Sequence, residues 1–211
     1  MQIRDIMARA PVIPVLTIER EADAVPLARA LCAGGLTVLE VTLRTPAALA
    51  AIAAMRKAVP EAVVGAGTLA VPQDFERVAA AGAQFAVTPG LTEELAVAGR
   101  HAGMPLLPGV ATASELLAAR AAGYTALKFF PAEPAGGTAM LSAFAPVFAD
   151  VVFCPPGGIT RESAPRYLQL ANVLCVGGSW ITPAAALKSG DWAQIEALAR
   201  DAAGLARRAP V

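Results

Sequence analysis

Strand-like apolar runs recur along the whole chain at a nearly constant interval, and this repeat narrows the possible folds more than any other feature. The runs are Pro11–Ile18, Thr37–Leu43, Ala62–Leu69, Phe85–Gly90, Pro105–Val110, Ala126–Pro131, Val151–Ile159 and Val173–Trp180, with starts 20 to 26 residues apart. Each interval has room for one strand, a turn and one helix. The segments between the runs are rich in Ala, with apolar residues at helical spacing. In Ala22–Cys32, for example, Val25, Ala28 and Cys32 share a face. Thr45-Pro46, Thr92 before Glu93 and Glu94, Thr112 with Glu115, Thr160 with Ser163, and Thr182-Pro183 read as helix starts. Gly34-Gly35, Gly82, Gly103 and Gly123 sit where helices should stop. Eight strands alternating with helices, with no linker or composition break, predict one α/β domain over residues 1–211. A count of eight favours a closed (β/α)8 TIM barrel over an open doubly wound sheet, with an extra N-terminal helix at Gln2–Ala10.

Composition excludes several classes of function. The 211 residues carry 17 basic and 17 acidic side chains, so no net positive charge points to nucleic acid as a partner. Hydrophobic residues reach 56%, but 50 of them are alanines. The longest uncharged run, Tyr167 to Leu187, contains Gln169, Asn172, Gly177, Gly178, Ser179 and Pro183, so it does not read as a membrane span. The N-terminal apolar stretch is short and broken by Pro11 and Pro14, unlike a signal peptide. Cys32, Cys154 and Cys175 make no paired framework, which predicts a cytoplasmic protein. With His101 the only histidine and no ligand cluster in sight, neither a metal nor another cofactor is expected.

In a barrel of this kind chemistry belongs at the C-terminal ends of the strands. The sixth run reads Ala126-Leu127-Lys128-Phe129-Phe130-Pro131. Alternation turns Leu127 and Phe129 to the helices and Lys128 inward. Taking an ammonium out of water favours the neutral amine, the form that attacks a ketone. Lys57 and Lys188 are the only other lysines, and both have solvated neighbourhoods. In the second run Leu39, Val41 and Leu43 form one face and Glu40, Thr42 and Arg44 the other. The second and sixth strands stand opposite each other in an eight-strand ring, so Glu40 can meet Lys128. Glu40 then reads as a proton shuttle and Arg44 as a bidentate partner for a substrate carboxylate. A structural Glu40–Lys128 ion pair, in a barrel that binds a phosphosugar without turnover, fits the same residues.

The third run ends Gly65-Ala66-Gly67-Thr68, offering a close approach and a hydroxyl, and the fourth ends Thr88-Pro89-Gly90. Gly157-Gly158 closes the seventh run and Gly177-Gly178-Ser179 the eighth. Two such loops, at these two strand ends, make a phosphate cradle of backbone N–H groups and one hydroxyl.

Taken in order, Val38-Leu39-Glu40-Val41-Thr42-Leu43-Arg44-Thr45, Gly65-Ala66-Gly67-Thr68, Thr88-Pro89-Gly90-Leu91-Thr92, Leu127-Lys128-Phe129-Phe130-Pro131-Ala132-Glu133, Pro156-Gly157-Gly158-Ile159 and Cys175-Val176-Gly177-Gly178-Ser179-Trp180 strongly resemble a known family. It is that of the bacterial 2-keto-3-deoxy-6-phosphogluconate (KDPG) aldolases, also called 2-keto-4-hydroxyglutarate (KHG) aldolases. The resemblance implies a metal-free class I aldolase on a TIM barrel, acting on a phosphorylated 2-keto acid and assembled as a homotrimer. By it, Lys128 forms the Schiff base and Glu40 moves protons. Arg44 and Thr68 hold the carboxylate end, Pro89 and Phe130 line the pocket, and Gly157, Gly158, Gly178 and Ser179 hold the phosphate. Cleavage of the unphosphorylated 4-hydroxy-2-oxoglutarate is a companion activity. One departure is Pro156, where the family usually has threonine; this loses a hydroxyl and an N–H beside the sugar. The phosphogalactonate aldolases, relatives that also lack the threonine, are the alternative.

Overall fold

The computed structural model describes residues 1–207. In chain order α1 (Ile3–Met7) leads to β1 (Val12–Leu16), α2 (Ala24–Ala33), β2 (Val38–Thr42), α3 (Ala48–Ala58), β3 (Val63–Gly67) and α4 (Gln73–Ala80). Then come β4 (Ala86–Val87), α5 (Glu93–His101), β5 (Leu106–Leu107), β6 (Gly109–Val110), α6 (Ala113–Ala121), β7 (Ala126–Phe129) and α7 (Gly137–Phe144). The chain continues through β8 (Val152–Cys154), α8 (Ala164–Leu168), β9 (Val176–Gly178), α9 (Ala184–Ser189) and α10 (Trp192–Ala203). Every strand pairing is parallel. One sheet has six strands in the order β5-β4-β3-β2-β1-β9, and a second has three, β6-β7-β8.

The fifth predicted strand is therefore two. Pro108 has no N–H to give a ladder, and the residues on its two sides pair with different neighbours. Leu106–Leu107 joins β4, whereas Gly109–Val110 joins β7. At the other edges Phe153 bridges Val173, and the N–H groups of Leu174 and Gly177 donate to the carbonyls of Phe153 and Pro155 at 3.1 and 3.0 Å. Three steps on one side thus answer two on the other. This bulge turns Cys175 to the face where Cys154 packs.

The core has two layers because strand residues alternate. Leu39, Val41, Leu127, Phe129 and Phe153 pack against the helices. Val38, Val63, Phe85, Val87, Leu107, Cys154 and Cys175 pack on the other face of the strands. On α2 the buried stripe is Ala24, Leu27, Ala28 and Leu31, while Val25 and Cys32 are half-buried. The predicted face is rotated because the leucines outweigh alanine in buried area.

The N-terminal helix is shorter than predicted, since Pro11 follows closely and the chain must turn into β1. Ile6 and Met7 plug the inner layer, and the Arg4 guanidinium donates to the carbonyls of Thr125 (3.2 Å) and Asp150 (2.5 Å). Both carbonyls precede strands, so α1 covers the N-terminal strand ends and leaves the C-terminal ends open for a site. Thr92 and Thr112 cap α5 and α6 as expected. Thr45 does not cap α3; its hydroxyl donates to the Ile18 carbonyl at 2.5 Å, tying the loop after β2 to that after β1. Among the described residues no helix is long and apolar enough to cross a membrane.

Candidate active site

Lys128 and Glu40 come from different sheets and meet inside the molecule. Lys128 Nζ lies 3.8 Å from Glu40 Oε1, and each residue is only 4% exposed. The spacing bears on what the pair does. A hydrogen-bonded ion pair closes to about 2.7–2.9 Å, and leaving a buried acceptor unpaired costs about 1–3 kcal/mol, more for a charge. Glu40 Oε1 is buried and has no hydrogen-bond partner among the described residues. A pair serving stability alone would close that gap, so the arrangement suits groups held ready for a third participant. The amine also stands 4.8 Å from the centre of the Phe130 ring, whose face attracts a cation.

Local packing explains why Glu40 can sit there. A Cβ on Gly67 would fall 2.0 Å from Glu40 Oε1, so only glycine leaves room for the carboxylate. Thr42, also turned inward, is not free for substrate. Its hydroxyl donates to the Leu16 carbonyl at 2.9 Å and lies 3.3 Å from the Thr17 hydroxyl, stitching β2 to β1. Lys128 registers with Gly109 on one side and Cys154 on the other. A Cβ on Gly109 would meet the Pro89 carbonyl oxygen at 2.2 Å, so the loop carrying Pro89 crosses close to the lysine strand.

The remaining predicted residues lie at the C-terminal ends of parallel strands, Gly178 as the last residue of β9 and the others just beyond a strand. Arg44 is exposed after β2, with no ion pair or hydrogen bond among the described residues, and Pro89 is exposed after β4. Phe130 is half-buried next to β7, and Gly157 and Gly158 lie beyond β8. Thr68 corrects a detail of the expected alternation. Val64 and Ala66 pack on the helix side, and strict alternation would send Thr68 there too. Its φ of +66°, the only positive value at a non-glycine residue among those described, ends the alternation at that position. Such a conformation costs of order 1 kcal/mol and clusters at functional sites.

The two glycine loops touch. A Cβ on Gly177 would lie 2.6 Å from Pro156 Cβ, and the N–H groups of Gly157, Gly158 and Ser179 donate to nothing among the described residues. Gly157 and Gly158 hold φ of +104° and +84°, a region that disfavours side chains. Ser179 is exposed and opens on a cleft of about 570 Å³ lined also by Val15, Thr17, Arg20, Thr182 and Lys188; Lys128 is not in its lining. Lys57 and Lys188 are exposed, as expected. No group of three or more His, Cys, Asp or Glu among the described residues could hold a metal ion.

Sequence reasoning missed two contributors. Gly67 was visible as a strand-end glycine, but the atom it makes room for was not. Glu133 was visible within a motif; that its carboxylate accepts from Arg166 and Tyr167, both at 2.8 Å, depends on α8 packing beside it.

Residues 3–198 match the family model for the KDPG and KHG aldolases. The KHG/KDPG aldolase of Escherichia coli K12 is 51% identical over 197 residues, covering 93% of this chain and 92% of that protein. Among solved structures, the KDPG aldolase of Legionella pneumophila, with pyruvate captured at low pH as a covalent carbinolamine intermediate, superposes with a TM-score of 0.95. It is 48% identical over 97% of this chain and 99% of its own. The 2-keto-3-deoxy-6-phosphogluconate aldolase of Zymomonas mobilis ZM4, solved with 3-phosphoglycerate, gives 0.93 at 50% identity, covering 99% of this chain and 98% of its own. The chain, with a buried lysine and carboxylate facing each other below two glycine loops, belongs to the KDPG and KHG aldolase family.

Proposed function

We propose that this chain is a class I aldolase that cleaves 2-keto-3-deoxy-6-phosphogluconate to pyruvate and glyceraldehyde 3-phosphate, and 4-hydroxy-2-oxoglutarate to pyruvate and glyoxylate. The observation that carries the reading is the buried Lys128 amine 3.8 Å from an unpartnered Glu40 oxygen. Lys128 attacks the C2 ketone, and Glu40 carries the protons that convert the carbinolamine to an imine and release water. Loss of the C4 hydroxyl proton then breaks the C3–C4 bond, and the bonding electrons flow into the protonated imine. The aldehyde leaves, the enamine takes a proton at C3, and water returns pyruvate and the free amine.

In this reading Arg44 and Thr68 hold the substrate carboxylate, and Pro89 and Phe130 wall the keto acid. Gly157, Gly158, Gly178 and Ser179 hold the phosphate. The chain works as one domain on a closed eight-stranded barrel. The link through Pro108 and the hydrogen bonds of Leu174 and Gly177 support closure. Three copies assemble in the cytoplasm, an expectation that light scattering and cell fractionation test directly.

Pyruvate followed by borohydride should add the mass of a reduced adduct to the Lys128 peptide alone. Trapping that survives Lys128→Ala refutes the assignment, and absence of trapping favours a binding barrel without turnover. Pro156 is the observation that favours the alternative reading, cleavage of the C4 epimer 2-keto-3-deoxy-6-phosphogalactonate, because a buried proline offers neither hydroxyl nor N–H to distinguish the epimers.

A further inference from the structure

The glycine loop after β8 is held from behind. The Ala132 N–H donates to the Pro156 carbonyl at 2.8 Å, and the Glu133 N–H donates to the Gly157 carbonyl at 3.0 Å. A peptide unit is planar and trans, so its C=O and N–H point in opposite directions. Drawing the carbonyls of Pro156 and Gly157 toward residues 132 and 133 therefore turns the N–H groups of Gly157 and Gly158 the other way. Those two groups have no partner among the described residues. The segment after β7 thus sets the direction in which the next loop presents its donors.

Something must hold that segment, and its side chains show what does. Glu133 Oε1 accepts from the Tyr167 hydroxyl and from Arg166 Nη2, both at 2.8 Å. Tyr167 is fully buried on α8, the helix that directly follows the glycine loop. Burial and the adjacent Glu133 carboxylate push its phenol above the usual range, so it stays a donor. The fit is close on the loop side as well, since a Cβ on Gly158 would fall 2.9 Å from Glu133 Cβ. Arg166 offsets the negative charge that Glu133 would otherwise place near a bound anion.

We propose that Glu133 is a positioning residue for substrate phosphate: anchored by Tyr167 and Arg166, it fixes the segment that aims the Gly157 and Gly158 N–H groups. The proposal rests on the reading of that loop as the phosphate site, and the experiment separates the two. Steady-state kinetics are measured with 2-keto-3-deoxy-6-phosphogluconate and with 4-hydroxy-2-oxoglutarate, which has no phosphate. If the unmutated enzyme shows no advantage for the phosphorylated substrate, the phosphate reading fails and the proposal falls with it. Where the advantage exists, Glu133→Ala should lower kcat/KM for the phosphorylated substrate roughly tenfold, the scale of one charge-assisted hydrogen bond. The loss should lie mainly in KM and be much smaller with 4-hydroxy-2-oxoglutarate. Glu133→Gln keeps an acceptor for Tyr167 and should recover most of it. Tyr167→Phe removes the same hydrogen bond without opening a cavity, and should show the same selective loss even if Glu133→Ala does not fold. An equal loss with both substrates, or none with either, would overturn the positioning role while leaving the phosphate reading intact.

Discussion

Glycine 67 offers the sharpest test of whether the position of the Glu40 carboxylate governs turnover. In Gly67→Ala the new Cβ would start 2.0 Å from Glu40 Oε1 and 2.8 Å from its Cδ and Cγ. Ordinary van der Waals contact begins near 3.4 Å, so the carboxylate must withdraw by about 1.4 Å. The backbone at Gly67 is extended and tolerates alanine, and the atoms in the way belong to the end of a flexible side chain. The variant should therefore fold. A displacement of about 1 Å at a reacting group can cost on the order of a hundredfold in rate. We expect kcat to fall by about 10²-fold with little change in KM, and adduct formation at Lys128 to slow in parallel. Gly65→Ala is the contrasting control. Its Cβ would lie 2.4 Å from the buried Phe85 ring, which cannot rotate away. Overpacking there should cost about 1–3 kcal/mol. Each kcal/mol lowers Tm by roughly 2–4 °C in a chain of this size. The assays are stopped-flow pyruvate release and a thermal melt on both variants. A Gly67→Ala enzyme with kcat within threefold of the parent would refute the argument, since the carboxylate would then have moved without consequence.

Three further outcomes are expected. Glu40→Gln should lower kcat about 10²–10⁴-fold and KM far less, because a proton carrier acts in the transition state; near-normal kcat would remove the residue from that role. Ser179→Ala should cost about ten- to a hundredfold in kcat/KM with the phosphorylated substrate, from a charge-assisted hydrogen bond of roughly 1.5–3 kcal/mol. It should cost little with 4-hydroxy-2-oxoglutarate, and equal losses would make the hydroxyl structural. Activity should survive exhaustive dialysis against EDTA, whereas loss with recovery on adding a divalent ion would contradict imine chemistry without metal.

Much of this protein could be read directly from its residues. The repeat of about 20 to 26 residues fixes the alternation of strand and helix, because a parallel strand needs a crossover before its neighbour can begin. Period-two alternation sends Glu40 and Lys128 to the face opposite Leu39, Val41, Leu127 and Phe129, and a lone lysine between large apolar residues marks itself. What alternation cannot supply is any distance across the fold. The 3.8 Å between Lys128 and Glu40, too long for a hydrogen bond and too short to be unrelated, depends on how two sheets come together. The break at Pro108 and the bulge that turns Cys175 inward are decided by which partner each N–H finds, and that partner belongs to another strand. Thr68 leaves the pattern because its φ of +66° is imposed by the turn that follows β3 rather than preferred by threonine. Gly67 and Glu133 carry the same lesson. A local pattern says which residue types a chain places on a face, but the need for a missing Cβ beside a carboxylate, or for a carboxylate beside a buried tyrosine, arises only when distant segments compete for the same few ångströms.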